Sequence, residues 1–345
     1  MPSIAPTAAN RKYDAMIGTG GIGTGRFFAL NGSHTLGREE SRGGKFLDRR
    51  DYCKLHIICH YVQRLVGGDF ITLPVGKVGD DAAGRRLMDE MRAEGLDVSL
   101  TAIMPGEQTL DCICLLYPDG SGGNLTVTDS ASGRVTPEDI QKAAPWFAQH
   151  ASRGIALAVP EVPLAARIEL LDLAHQHGFL RAASFSSEEM VTVRETSLLS
   201  RVDLLAVNLD EAASLAETSA EGESETIVNK IAANLGQKFP HLKLSITAGA
   251  IGSWIIDGHN FHFIATPKVE VQSAAGAGDA HFSGILAGLA AGLALADAQW
   301  IGILAGAMSV TSAHTIHPDI DRRTLREFAA SHRLTLPAAV CEFFQ

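Results

Sequence analysis

The sequence predicts a layered α/β fold with a mostly parallel central sheet and a small β-rich lid. Along most of the 345 residues, short β-like runs alternate with helix-period segments, which is typical of parallel sheets covered by helices on both faces. Two segments, 18–45 and 99–129, instead combine many Gly, Ser and Thr residues with the alternation of β-hairpins. Because neither segment would pack as a crossover helix, we expect both to form the lid as insertions into one core.

The alternating region contains six predicted strands and six predicted helices. The strands are Tyr13–Ile17, Phe70–Val75, Ile155–Val159, Phe179–Ala183, Leu204–Val207 and Leu242–Thr247. The helices are Asp51–Leu65, Asp81–Glu94, Pro137–Gln149, Pro163–His177, Asp210–Glu217 and Ile227–Phe239. These spacings suit crossover helices, so the expected unit is a single domain over residues 12–335, with terminal tails at 1–11 and 336–345.

After residue 240 the pattern changes. A strand leads into a hairpin that turns at Asp257 and Gly258, and a glycine-rich turn follows. Two apolar helices are predicted near 280–296 and 298–312, and an amphipathic helix over Arg322–His332. The longest uncharged apolar stretch, 282–296, is shorter than the roughly 20 residues that cross a membrane, so we expect a buried helix there and no membrane partner.

Charge and cysteine content narrow the class of protein further. The formal charge is −10, and the basic residues are scattered, whereas nucleic-acid binding needs clustered Lys and Arg. We therefore expect a small-molecule partner and no nucleic acid. The five cysteines lack the paired spacing of a zinc site, so we expect reduced thiols in a cytoplasmic protein. They are Cys53, Cys59, Cys112, Cys114 and Cys341.

The first glycine-rich signal is G-T-G-G-I-G at residues 18–23, directly after a predicted strand. It matches the G-x-G-x-x-G pattern of dinucleotide-binding folds, in which glycines let the backbone approach a pyrophosphate. The following residues leave no room for a full helix and a second parallel strand. The surrounding sequence therefore disfavours a dinucleotide-binding oxidoreductase.

The second glycine-rich signal is A-G-A-G-D at residues 275–279, which opens onto a long apolar helix. Free backbone amides and the positive end of the helix dipole meet at such a turn and can hold an anion. Asp279 is either a simple capping residue or, beside a bound phosphate, a base that takes a proton from an attacking hydroxyl. The residues alone leave both roles open.

Two further motifs follow predicted strands. T-A-G-A-I-G at residues 247–252 is either a β-turn or a nucleotide contact through the Thr hydroxyl and exposed amides. N-L-D-E at residues 208–211 has the spacing of a helix capping box, and its oxygen atoms would also suit Mg²⁺. These two roles of Asn208 and Glu211 are compatible.

In chain order, the motifs at 208–211, 247–252 and 276–279 together resemble the ribokinase-like sugar kinases, also called the PfkB carbohydrate kinase family. The resemblance extends upstream to G-K-V-G-D-D-A-A-G at residues 76–84 and covers about residues 12–330. It implies a three-layer core with a β-rich lid. It also implies ATP- and Mg²⁺-dependent transfer of a γ-phosphoryl group to a hydroxyl of a sugar or nucleoside.

The resemblance assigns roles to the phosphate-handling residues. Asp279 corresponds to the catalytic base, and the backbone amides of Gly276, Ala277 and Gly278 correspond to the anion hole. Residues 305–314 would wall the adenine pocket.

Nucleotide contacts and metal positioning fall on the two other motifs. Thr247, Gly249 and Gly252 would contact the nucleotide. Asn208 and Glu211 would help to position Mg²⁺.

The acceptor side departs from the family's pattern. Family members carry an Asp shortly after the first strand, and the corresponding stretch here, 20–25, has no carboxylate. The second glycine motif survives at 42–45, and Asp51 is the substitute for the Asn expected at the start of the next helix. The predicted acceptor contacts are Gly43, Gly44, Lys45, Asp51 and Asn124.

These departures leave the phosphoryl acceptor open. A sugar or sugar-like molecule leads, and a nucleoside kinase or a catalytically weak nucleotide-binding protein with a degenerate acceptor site are the alternatives. Basic lid residues are either solvated or suited to an acidic acceptor; they are Arg26, Arg38, Arg42 and Lys45.

Two other properties implied by the resemblance also stay open. Ser273 and Ala274 replace the Asp-Thr pair that usually precedes the G-A-G-D turn, so the use of a monovalent cation is not decided. Lid edges in this family often pair between subunits, which makes a homodimer compatible with the sequence.

Overall fold

A large sheet forms the centre of the molecule. The computed structural model describes residues 11–32, 34–118 and 122–345. In these residues nine strands form the sheet, in the spatial order Asn260–Ala265 (β14), Gly252–Asp257 (β13), Lys243–Thr247 (β12), Leu204–Asn208 (β11), Leu180–Ser184 (β10), Gly154–Ala158 (β9), Ala15–Thr19 (β1), Ile71–Gly79 (β5) and Thr101–Met104 (β6). The run from β12 to β6 is parallel, whereas β13 and β14 are antiparallel additions at one edge.

Separate helical layers cover the two faces of this sheet. Met16 and Ile17 are neighbours in β1 and pack into different core clusters, because successive side chains of a strand point to opposite faces. The layer on the Met16 side contains Lys54–Val66 (α1), Ala82–Ala93 (α2), Ala277–Ala290 (α9), Leu295–Ser309 (α10), Arg322–Ser331 (α11) and Ala338–Phe343 (α12). The layer on the Ile17 side contains Pro137–Gln141 (α3), Ala144–Gln149 (α4), Leu164–Gln176 (α5), Met190–Glu195 (α6), Leu209–Leu215 (α7) and Ser224–Lys238 (α8). The predicted three-layer α/β class is confirmed.

A second, smaller sheet forms the lid. Its strands are Gly23–Leu30 (β2), Gly44–Phe46 (β3), Asp51–Tyr52 (β4), Leu110–Leu116 (β7) and Gly122–Thr126 (β8). β2 is central, because it pairs with β7 in parallel and with both β3 and β4 in antiparallel register. The lid is therefore built from two separated chain segments.

The lid boundaries differ from the predicted segments 18–45 and 99–129. Gly18 and Thr19 belong to β1, where they pair with Pro74 and Val75 of the core. Residues 101–104 form the edge strand β6 of the large sheet. Strand β4 also extends the first lid segment beyond residue 45.

Two predicted helices have different bounds in the structure. The helix predicted over 137–149 is divided into α3 and α4, because Pro145 lies at the start of α4 and has no N–H for a bond to the preceding turn. The helix predicted from Asp51 begins at Lys54, because Asp51 and Tyr52 pair with the lid as β4.

The prediction that residues 336–345 form a C-terminal tail outside the domain is wrong. Helix α12 lies in this segment and buries Val340 and Phe343 against the core. The guanidinium of Arg322 lies 4.4 Å from the centroid of the Phe343 ring, which adds a cation–π contact to the apolar burial. Of the predicted N-terminal tail, residues 1–10 lie outside the described residues, and Arg11 is buried.

Candidate active site

The carboxyl ends of the parallel strands meet the first turn of α9 at one edge of the large sheet. Open α/β sheets bind ligands at this edge. Strand β11 ends at Asn208 and β12 ends at Thr247, and both residues border cavities that Gly278 of α9 also lines. The motifs recognised separately in the sequence are therefore brought together.

The turn before α9 depends on the backbone conformation of Gly276. Its φ of +78° lies in the left-handed region, and a Cβ there would lie 2.9 Å from the Thr315 carbonyl oxygen. Ala277 donates its N–H to the Ala274 carbonyl at 3.3 Å, whereas the amides of Gly278 and Asp279 have no hydrogen-bond partner within the described residues. The open amides at the helix start are thus those after Ala277.

Asp279 lies in the first turn of α9 and faces Lys54 at the first position of α1. Lys54 Nζ is 3.4 Å from Asp279 Oδ1, and the Asp279 side chain is 15% exposed. The Asp279 carboxylate raises the pKa of Lys54 well above its usual value, so the ammonium stays charged. Among the described residues, the Asp279 carboxylate accepts a hydrogen bond from Lys54 and none from a backbone amide of its own turn, so it is not a simple helix cap.

Glu161 approaches the same group from the end of β9. Its Oε2 accepts the backbone N–H of Lys54 at 3.2 Å, and its own φ is +77°. Burial raises the pKa of Glu161 to about 7, although the nearby Lys54 charge acts in the opposite direction. A carboxyl group that titrates near neutral pH therefore lies beside the ammonium that contacts Asp279.

Asn208 and Glu211 form the capping box at the start of α7. Asn208 Oδ1 accepts the Glu211 N–H at 2.8 Å, and Glu211 Oε2 accepts the Asn208 N–H at 3.0 Å. Burial raises the pKa of Glu211. Both residues border a cavity of about 110 Å³ that Lys54 and Asp279 also line, so the capping box of α7 lies at the same cleft as Asp279.

The predicted nucleotide motif lines a larger neighbouring cavity of about 730 Å³. Thr247, Gly249 and Gly252 form one side of this cavity. Gly306, Ala307 and Val310, from the segment predicted to wall an adenine pocket, lie on another side, and Ala277 and Gly278 also line it. Its volume lies in the range of small-molecule sites in proteins.

The predicted acceptor residues do not all come together. Asp51 is buried opposite Gly25 of β2, and the Cys114 thiol donates to its Oδ2 at 3.0 Å. Burial raises the pKa of Asp51, and the charge of Asp279 acts in the same direction. Asn124 lies beside Cys114, with its Oδ1 3.7 Å from the sulfur. Asp51 and Asn124 thus share one side of the lid.

Gly43, Gly44 and Lys45 lie elsewhere on the lid. All three are exposed; Gly43 precedes β3, and Lys45 of β3 pairs with Ala29. Ala29 is four residues along β2 from the position opposite Asp51, a separation of roughly 13 Å at the rise of a strand. The intervening loop carries the glycine motif away from Asp51, so the structure does not place these three residues with the other predicted acceptor contacts.

Two of the basic lid residues are paired within the lid itself. Arg26 lies 3.2 Å from an Asp111 carboxylate oxygen, and Arg42 lies 2.7 Å from Glu40. Their charges are thereby balanced locally and are not directed at Asp279.

Sequence reasoning missed Lys54 and Glu161. Lys54 belongs to no recognised motif, and its role depends on packing of α1 against α9. Glu161, however, comes two residues after the predicted strand Ile155–Val159, and a carboxylate at the carboxyl end of a parallel strand is a positional signal of a ligand site.

Comparison with known proteins places the sequence among the carbohydrate kinases. A model of the pfkB family carbohydrate kinases matches residues 58–322. The chain is 31% identical over 228 residues to a fructokinase of Klebsiella pneumoniae, a match that covers 63% of this chain and 70% of that protein.

Solved structures share the fold. The ribokinase of Cryptococcus neoformans var. grubii serotype A in complex with ADP has a TM-score of 0.76 at 19% identity, over 91% of this chain and 99% of that chain. The Burkholderia thailandensis nucleoside kinase in complex with inosine has a TM-score of 0.71 at 18% identity, over 92% of this chain and 98% of that chain.

The fold and the sequence match define a phosphotransferase with a ribokinase-like architecture. The chain belongs to the pfkB family of carbohydrate kinases. Among the described residues, every helix is too short or too polar to cross a membrane.

Proposed function

We propose that this protein transfers the γ-phosphoryl group of ATP to a hydroxyl of a neutral sugar or sugar-like molecule, with Asp279 as the general base. The position of Asp279 is the main support. It lies in the first turn of α9, beside open amides, and borders the same cavity as Asn208 and Glu211. A base, an anion-binding turn and hard oxygen ligands are the parts that phosphoryl transfer requires.

In the proposed reaction the acceptor O–H bond breaks and its proton passes to the Asp279 carboxylate. The acceptor oxygen forms a bond to the γ-phosphorus while the bond to the β-phosphate oxygen breaks, and ADP leaves with that electron pair. The amides of Gly278 and Asp279 and the positive end of α9 stabilise the charge on the transferred group. The Ala277 N–H already donates to the Ala274 carbonyl, so it would bind the transferred group only after this hydrogen bond breaks.

Lys54 adds a fixed positive charge to this reaction. Its ammonium contacts Oδ1 of Asp279 and borders the small cavity that leads to Asn208. From this position its positive charge would attract the transferred phosphoryl group. Contact with Oδ1 leaves Oδ2 of Asp279 for the acceptor hydroxyl.

The donor set fits Mg²⁺ and a nucleotide. Asn208 and Glu211 offer amide and carboxylate oxygens, the ligand atoms that Mg²⁺ prefers, directly or through water. When bound, Mg²⁺ would neutralise charge on the phosphates. Thr247, Gly249 and Gly252 would hold the nucleotide, and the ADP named with the Cryptococcus ribokinase supports ATP as the donor. The use of a monovalent cation stays an open prediction.

Charge favours a neutral, hydroxyl-rich acceptor. Burial raises the pKa of Asp51 and of Glu161, and the negative charge of Asp279 raises both further. Lys54 is the cation beside Asp279 and Glu161. Hydroxyl groups can donate to these carboxylates, whereas a sugar acid or sugar phosphate would add a further negative charge. The acidic acceptors suggested by the basic lid residues are therefore disfavoured.

An ADP-release assay with Mg-ATP tests the acceptor class. Neutral ketoses, aldoses and nucleosides should be compared with sugar acids and sugar phosphates at equal concentration. We expect release stimulated by a neutral sugar, and loss of the Asp51 carboxylate in Asp51→Asn should raise KM for that sugar by about 10-fold or more. Asp48→Asn, at an exposed position three residues away, is the matched control.

The outcomes separate the alternatives. Preference for a nucleoside would support the alternative suggested by the Burkholderia neighbour. Stimulation only by acidic sugars would contradict the charge argument, and the absence of stimulation by every class would favour a nucleotide-binding protein with a degenerate acceptor site.

The lid also supports a homodimer. Its outer strands include β3 and β8, and Phe46 and Leu125 on these strands are 56% and 60% exposed. Large exposed apolar side chains next to unpaired strand edges are a common basis for pairing between subunits. Sedimentation velocity of the wild type and Leu125→Glu tests this expectation; a monomeric wild type would contradict it.

A further inference from the structure

The junction between lid and core holds two thiols that the proposed phosphoryl transfer does not use. Cys53 precedes α1 in the core layer, and Cys112 lies on lid strand β7. Both are buried, and their sulfur atoms are 3.8 Å apart. A carboxylate oxygen of Glu161 lies near both sulfur atoms. The three atoms, one from each residue, are all within 4.8 Å of one another.

The separation of the two sulfurs matches metal coordination. Zinc binds cysteine thiolates at about 2.3 Å in tetrahedral geometry, which places two such sulfurs about 3.8 Å apart. A carboxylate oxygen is also a common zinc ligand, and three protein ligands can leave a fourth position for water. The side chains are thus close to a coordinating arrangement without movement of the backbone.

Glycines clear the space around this cluster. A Cβ on Gly21 would lie 2.3 Å from Glu161 Oε2, and a Cβ on Gly23 would lie 2.8 Å from the Cys53 sulfur. Neither contact is sterically acceptable, and at Gly23 the Leu110 carbonyl oxygen, 2.4 Å from the same Cβ, also excludes a side chain. Gly21 and Gly23 of the glycine-rich stretch after β1 thus leave room for Glu161 and Cys53 in their observed positions.

Neighbouring polar groups would hold the ligands in place. The Lys54 N–H donates to Glu161 Oε2 and orients the carboxylate. The Thr126 hydroxyl of β8 lies 3.7 Å from the Cys112 sulfur and could donate to a thiolate there. Such outer contacts orient ligands and stabilise their deprotonated forms at protein metal sites.

We propose that Cys53, Cys112 and Glu161 bind one thiophilic divalent cation of the Zn²⁺ type, which joins the lid to the core. Two metal–sulfur bonds replace two S–H bonds, both protons pass to solvent, and no oxidant is needed. The ion connects strand β7 of the lid to the segments that follow β9 and precede α1. Bound metal would fix the lid in its position above the core.

Cobalt(II) titration of the reduced, chelator-treated full chain tests this site. Because Glu161 is also a proposed acceptor contact, nucleotide and sugar are left out, and the readout does not depend on kinase activity. We expect one Co²⁺ per chain, with a sulfur-to-cobalt charge-transfer band and the intense visible bands of tetrahedral Co²⁺. One equivalent of Zn²⁺ should displace the Co²⁺ and remove the charge-transfer band and the visible bands.

Single substitutions assign the ligands. Cys53→Ser and Cys112→Ser should each weaken Co²⁺ binding by more than about 100-fold, because loss of a ligand exceeds the effect of losing an outer contact. Cys114→Ser is the matched control, since Cys114 lies two residues from Cys112 on β7 and bonds to Asp51 instead. Cys341→Ser, at an exposed site, controls for general loss of a thiol.

The absence of a charge-transfer band in the wild type would overturn the proposal, as would a band of full intensity in Cys53→Ser. If these variants do not fold, alkylation of the wild type gives a second test. Zn²⁺ should slow the modification of Cys53 and Cys112 at least about 10-fold while Cys341 reacts unchanged, and equal rates with and without Zn²⁺ would overturn the site.

Discussion

Lys54 Nζ lies 3.4 Å from Asp279 Oδ1, although the two residues are 225 positions apart in the chain. The contact exists because α1 packs against α9 and both helices begin at the same cleft. The Asp279 carboxylate raises the pKa of Lys54, so a charged ammonium lies beside the proposed base before any ligand binds. The pair therefore links the packing of two helices to the chemistry of the site.

Removal of the Lys54 charge should slow phosphoryl transfer. We expect Lys54→Met to lower kcat by about 100-fold, in the range found when one group that stabilises developing charge is removed. Lys45→Met, on the exposed lid strand β3, should leave kcat within about 2-fold of wild type because Lys45 does not line the cavity that contains Asp279. Steady-state ADP release with saturating Mg-ATP measures both, and equal turnover of Lys54→Met and wild type would contradict a catalytic role.

Glu161 should make stability depend on pH. Its pKa in the folded protein is about 7 against an ordinary value of 4.5, so folding favours the neutral form. The free energy of unfolding therefore contains a contribution from neutral Glu161 that is complete below pH 4.5. This contribution is lost as the pH rises to about 7. Urea unfolding of wild type and Glu161→Gln from pH 5 to 8 should show the wild type losing stability relative to the variant, and parallel curves would contradict the raised pKa.

The left-handed turn at Gly276 should be sensitive to a methyl group. Gly276→Ala should cost about 1 kcal/mol or more in the free energy of unfolding, because Ala disfavours this conformation. It should also lower kcat about 100-fold, because a shift of the turn away from Thr315 misplaces the amides of α9.

Gly258→Ala provides the matched comparison. Gly258 also has a positive φ, of 62°, but a Cβ there meets no atom within 4 Å, and it lies in the β13–β14 hairpin turn. Its substitution should lower stability by a similar conformational amount with no loss of kcat. A similar loss of kcat in both variants would show that the effect of Gly276→Ala is not specific to the anion-binding turn.

The architecture followed from periodicity to a large extent. All six predicted strands are parallel members of the large sheet, since buried apolar runs bounded by turns are a strong local signal. The errors arise where tertiary contacts override that signal. Asp51 would suit a helix start, but pairing with β2 makes it a strand residue, and residues 338–343 form a helix because the core accepts Val340 and Phe343.

The candidate site was predictable where its residues follow one another in sequence. Thr247, Gly278 and Asp279 belong to local motifs, and the fold brings these motifs to one edge. Lys54 and Glu161 were not found, because their roles arise from contacts between distant elements. The pairing of Cys53 with Cys112 likewise depends on the docking of the lid and has no signature in cysteine spacing.

The most direct test of the account is turnover of Asp279→Asn. With a stimulating acceptor and saturating Mg-ATP, we expect kcat to fall by about 10²–10⁴-fold, while the Kd of ATP, measured by calorimetry, changes less than about 3-fold. Asp297→Asn, which also removes a carboxylate from the first turn of an apolar helix but in α10, should retain wild-type turnover. Wild-type turnover of Asp279→Asn in folded protein would contradict the assignment of Asp279 as the general base.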